Sequence, residues 1–168
     1  MEEIINKVAE SGLIQMDLAD YKPAKNNIVG IDLANQLWEG LVLREKDFRS
    51  FLAENDWLEF KDNYVYVYCS ADAIVPTWAY MLVTSKLHGI ARLVVVGSQK
   101  TLEKEIIKGT IQQLDLAPFI DGRIIIKGCA DITSPEYAMS LLVQHLQPVV
   151  KSIMYGEPCS TVPVYKRK

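Results

Sequence analysis

Three cysteines carry the reactive chemistry of this 168-residue sequence: Cys69, Cys129 and Cys159. Two of them repeat a local pattern. Cys69 is followed by Asp72, Pro76, Trp78 and Ala79, and Cys129 by Asp131, Pro135, Tyr137 and Ala138, the second copy being one residue shorter between Cys and Asp. Thiolates suit zinc and iron–sulfur centres, and three protein ligands leave a position for Asp72, Asp131, His88 or an exogenous ligand. The spacing contains no C-x-x-C pair, so two metal-free readings stand beside this one. In one, Cys69 or Cys129 is a nucleophile or persulfide carrier whose thiolate is favoured by a helix N-terminus. In the other, the cysteines are small buried residues of a non-catalytic binding or scaffold protein. Asp72 and Asp131 are then helix caps, and Pro76 and Pro135 first-turn residues.

The elements that must position these residues are legible around each thiol. Tyr64–Tyr68 is β-branched or aromatic without a polar break, which suits a strand covered on both faces, with Cys69 at its carboxyl end. A helix is expected from about Val75 to Leu87 or His88, stopped by Gly89. A second apolar run, Arg92–Val96, turns at Gly97-Ser98 into a helix from Lys100 to Gly109 that continues toward Leu116, before Pro118. A third strand, Arg123–Lys127, leads into Gly128 and Cys129, and a long helix from Pro135 to Tyr155 closes at Gly156.

The N-terminal part is expected to hold a short helix over Glu3–Glu10, an edge strand over Leu13–Leu18 and a loop to Asn27. Ile28–Glu39 fits strand or helix. Leu41–Leu43 reads as a short strand, and Lys46–Asn55 as a helix with Phe48, Phe51 and Leu52 inward. Strands alternating with helices predict a single α/β domain over residues 1–168, with a mostly parallel sheet flanked by helices and an extended C-terminal tail. The carboxyl ends of parallel strands share one edge, which places Cys69 and Cys129 on that edge and close together if their strands are neighbours. Cys159 follows a helix on the order of 30 Å long, which carries it to the opposite edge. It returns only if the tail Pro158–Tyr165 packs back, or if a second subunit of a homo-oligomer supplies it.

Composition narrows the partners. A net charge of −3 and a pI near 5.4 provide no basic field for a phosphate backbone, so nucleic acid is not expected. The basic end Lys166-Arg167-Lys168 reads as a solvated tail. Arg44 and Arg49 belong to a charged junction that is ordinary solvated surface, and Gly97-Ser98-Gln99-Lys100-Thr101 lacks the spacing of a phosphate loop. His88 and His145 fall toward the far ends of their helices, away from the thiols. No apolar run approaches the ~20 residues of a membrane span and Met1-Glu2-Glu3 is an acidic start, so a soluble cytoplasmic protein is expected.

The segments GLVLREKDFR, CSADAIVPTWAYML, KGCADITSPEYA and MYGEPCSTVPVYK give the chain, from Gly40 onward, a family likeness. It resembles an uncharacterised bacterial family, a domain of unknown function that occurs alongside iron–sulfur cluster assembly components. The resemblance implies a cytoplasmic bacterial protein with iron–sulfur assembly proteins as partners, and it transfers no activity. All three cysteines lie inside the resembling segments. The expectation carried forward is a thiolate site of Cys69, Cys129 and Cys159, joined by Asp72 and Asp131, that handles zinc or an iron–sulfur cluster.

Overall fold

The computed structural model describes residues 12–22, 27–128, 132–157 and 159–168. Along them run β1 (Leu13–Asp17), β2 (Ile28–Asp32), α1 (Glu45–Glu54), β3 (Tyr64–Tyr68), α2 (Thr77–Leu87) and β4 (Leu93–Val96). Then follow α3 (Gln99–Gln112), β5 (Arg123–Lys127), α4 (Pro135–Leu146), β6 (Ser152–Glu157) and β7 (Ser160–Lys166). The α/β class is as expected, and the strands form two sheets, one of three strands and one of four. The chain divides accordingly into two compact units, Pro23–Glu103 and Met1–Lys22 with Lys104–Lys168. The helix expected over residues 3–10 lies outside the described residues. No helix among those described is long and apolar enough to cross a membrane.

In the Pro23–Glu103 unit the strand order is β2-β3-β4, with every pair parallel. The ambiguous segment after Asn27 resolves into strand β2 followed by a 3-10 turn over Leu33–Gln36, which the Asp32 carboxylate caps by accepting from the Ala34 amide. β3 alternates rather than being evenly covered. Val65 and Val67 are fully buried beneath Phe48 and Leu52 of α1 and Ala79, Val83 and Leu87 of α2, while Tyr64, Tyr66 and Tyr68 point to the other face and are half-buried. Gly30 pairs with Tyr66, and a Cβ there would sit 2.5 Å from the tyrosine Cζ, so this strand position needs glycine for the ring to lie flat. An aromatic chain closes the helical side: Phe48, Phe51, Trp57 and Phe60 follow one another at centroid distances of 5.7 to 6.0 Å. The short strand expected at Leu41–Leu43 is reduced to bridges from Val42 to Trp38 and Ile74.

The other unit has the order β1-β5-β6-β7, parallel except for the final pair. Met16, Ile124, Ile126 and Ile153 form one face of this sheet, and Ile107 and Ile111 of α3 pack there with Ala138, Leu142 and Leu146 of α4. The long helix expected to Tyr155 is corrected. It ends at Leu146, with Gln147 as a C-cap that keeps helical dihedrals, because Pro148 has no amide to continue the helical bonds. The remaining residues form β6, which lies parallel to β5 in the register Ile126↔Tyr155. The tail is the strand β7, which turns back along β6 with Glu157 opposite Ser160.

Candidate binding cleft and the placement of the cysteines

The thiols distribute between the two units. Cys69 ends β3 in the three-stranded sheet, is half-buried against the core there, and donates its S–H to the Ala71 carbonyl at 3.6 Å. Burial and the neighbouring Cys69 push the Tyr80 phenol above its usual range. Cys159 is exposed at the turn between β6 and β7. Cys129 and Asp131 lie outside the described residues. The strands preceding Cys69 and Cys129 are not neighbours: β3 pairs with β2 and β4, and β5 with β1 and β6. The shared sheet edge expected from alternation alone is thereby corrected, since two sheets supply two such edges. Asp72 is exposed and does not cap α2, whose N-cap is Pro76 without a side-chain bond. Among the described residues, no three His, Cys, Asp or Glu side chains come together as a set of metal ligands.

The remaining candidates have local partners. Ser98 caps α3 by accepting from the Thr101 amide at 3.2 Å, so Gly97-Ser98 is a strand-to-helix turn as expected. Arg44 stacks 3.7 Å from the Trp38 ring centroid, Arg49 pairs with Glu45 on an exposed surface, and His145 Nε2 lies 3.3 Å from the Leu114 carbonyl.

One polar junction joins two strand ends. Asp32 accepts from the Ser70 amide at 3.0 Å and from the Ser70 hydroxyl at 2.5 Å, tying β2 to the residue after Cys69. Partial desolvation pushes this carboxyl up, but the Ser70 hydroxyl and the Ala34 and Ser70 amides outweigh it, and the group titrates below the usual aspartate range. A depressed folded-state pKa contributes stability that is present above the unfolded value of about 3.9 and lost as pH falls through the folded one. Asp32→Asn is therefore expected to cost from a few tenths of a kcal/mol to at most about 1 kcal/mol at neutral pH, since solvent screens this largely exposed carboxylate, with the deficit shrinking below about pH 4. Urea unfolding of both proteins across that range checks it, and a deficit independent of pH would contradict the assignment.

A recess with the dimensions of a ligand site lies in the four-stranded unit. Ala138, Leu142 and Leu146 of α4 pack into one core with Ile124, Ile126 and Ile153 of β5 and β6, and the recess opens beside that core. Met139 and Val143, on the next stripe of α4, face Ile153, Tyr155 and Val164 across a cleft of about 550 Å³. The hairpin wall is open to solvent, with Tyr155 44% and Val164 50% exposed. At one end Gly128 lies under the Tyr155 ring, which a Cβ on residue 128 would displace. Glu136, Ser140 and Gln144 supply polar groups along the helix side. The volume falls within the ~300–1,000 Å³ of small-molecule sites, and the composition is theirs as well: apolar walls with few polar groups.

The sequence contained this cleft only in part. Pro135 and the apolar stripe of α4 are legible in the sequence, but local pattern places Tyr155 in a helix and Val164 in a tail. Pro148, followed by Val149 and Val150, was the signal that Tyr155 belongs to a strand.

The model of one family, described as a protein of unknown function (DUF2480), matches residues 2–167. Neither a curated protein nor a solved structure matches the chain.

Proposed function

Because the chain belongs to the DUF2480 family of proteins of unknown function, we propose a function from its own geometry: reversible binding of a small apolar or amphiphilic molecule between α4 and the β6–β7 hairpin. The observation that carries this reading is the cleft of about 550 Å³ whose walls are Met139, Val143, Ile153, Tyr155 and Val164. Each methylene transferred from water to such walls contributes about 0.8 kcal/mol, so an eight-carbon chain supplies about 6 kcal/mol before the cost of association is subtracted. Octan-1-ol is expected to bind weakly but saturably, with a Kd in the millimolar range or above, measured by titration calorimetry. Val164→Trp, at a half-exposed strand position that tolerates a larger side chain, fills the cleft and is expected to weaken binding at least about tenfold. Absence of saturable binding, or equal affinity in the variant, would remove this reading.

A second reading, thiolate ligation of zinc or an iron–sulfur cluster, draws support from one observation. Because β6 runs parallel to β5, the β6–β7 turn that holds Cys159 lies at the edge where β5 ends, and not at the opposite edge. Metal analysis of protein purified anaerobically under reduction separates the two: stoichiometric zinc or iron supports ligation, and metal-free protein that takes up neither ion opposes it.

A further inference from the structure

Resting on the reading of the cleft as a ligand site, we infer that its occupant carries a cationic, hydrogen-donating head on an apolar body, the chemistry of a hydrophobic amine. Of the polar groups beside the apolar walls, the Glu136 carboxylate and the amide oxygen of Gln144 are acceptors, and the Ser140 hydroxyl can accept or donate. Gln144 Nε2 donates to the Ser140 carbonyl at 3.3 Å and to the Ser140 hydroxyl at 3.2 Å, which leaves the amide oxygen of Gln144 as its open group. Glu136, an exposed residue in the first turn of α4, is among the residues lining the cleft, and no cation pairs with it among the described residues.

The positive groups recorded with partners in this unit are engaged elsewhere. Lys127 lies 3.6 Å from Glu157, Lys108 lies 3.2 Å from Glu105, Lys104 sits over the Tyr137 ring at 5.3 Å, and Arg167 pairs with Asp121. A carboxylate beside an apolar recess interacts with an arriving ammonium more strongly than it would on open surface, because the ligand body displaces water from between them. Tyr155 adds an aromatic face within the same recess, available to a cation. An anionic head meets the opposite field: Glu136 repels it, and the open amide oxygen of Gln144 offers it no donor.

The test uses three ligands of one chain length at pH 7: octylammonium, octan-1-ol and octanoate, each titrated calorimetrically into the full chain. Octylammonium is expected to bind about fivefold tighter than octanol, and octanoate more weakly than either. Glu136→Gln is expected to bring the ratio of octylammonium to octanol affinity close to one. Added salt is expected to reduce that ratio in the unsubstituted protein. Octanol binding as tightly as octylammonium, or a preference unchanged in Glu136→Gln, would overturn the assignment of the head group while the cleft reading stands. Absence of saturable binding for all three ligands would remove both.

Discussion

Phe48→Ala is expected to destabilise the protein by about 3–5 kcal/mol. Phe48 is fully buried in the Pro23–Glu103 unit. It is the point at which α1 meets both the aromatic chain and α2: its ring lies 5.7 Å from Phe51 and 5.9 Å from Trp78, the latter edge-on. Removing it deletes apolar contact and leaves a cavity between two helices. The end of α1 is tied to the following turn by the bond from Trp57 Nε1 to the Leu52 carbonyl at 2.9 Å, so collapse around the void is limited. Chemical denaturation measures the loss. A deficit under about 1 kcal/mol would mean that this helical layer repacks freely.

Gly128→Val is expected to disturb stability and the cleft together. A side chain at residue 128 meets the Tyr155 hydroxyl and ring directly, so either the tyrosine leaves the cleft wall or the end of β5 shifts. Overpacking of this kind costs about 1–3 kcal/mol. Tyr155 is 44% exposed and its ring can swing outward, which places the stability cost toward the lower end. The binding cost does not share that relief, because a displaced ring removes one wall of the recess. Octan-1-ol affinity is therefore expected to fall about tenfold while the protein stays folded by circular dichroism. Unchanged affinity would show that Tyr155 does not contribute to binding.

How much of this was readable depended on whether the signal was local. β3 and β5 were found within a residue because each is an apolar run bounded by turn residues, and Pro135 marked the first turn of α4 because proline fits there. The misassigned segment has an equally definite cause. Leu142, Leu146, Val149, Val150 and Ile153 maintain helical spacing across a stretch whose last residues form a strand. Periodicity favoured helix and only Pro148 opposed it. Both Ile153 and Leu146 are fully buried, so an apolar residue was required at each position whichever element carried it.

The division into two sheets was not legible at all. That β5 pairs with β1, more than a hundred residues away, rather than with β4 is a long-range choice that no window of sequence records. The candidate site inherited this blindness. Cysteines drew attention because their chemistry is readable from residue type alone, whereas the cleft is assembled from residues of α4, β6 and β7. Tyr155 and Val164 acquire their role only after β6 and β7 have paired.

The central claim, that the recess between α4 and the β6–β7 hairpin holds a ligand, is tested most directly by methyl-detected nuclear magnetic resonance during an octan-1-ol titration. Saturable shifts are predicted at Met139, Val143, Ile153 and Val164, with Val65 and Val67 in the other unit unmoved. Shifts confined to residues outside the cleft, or none that saturate, would contradict the account.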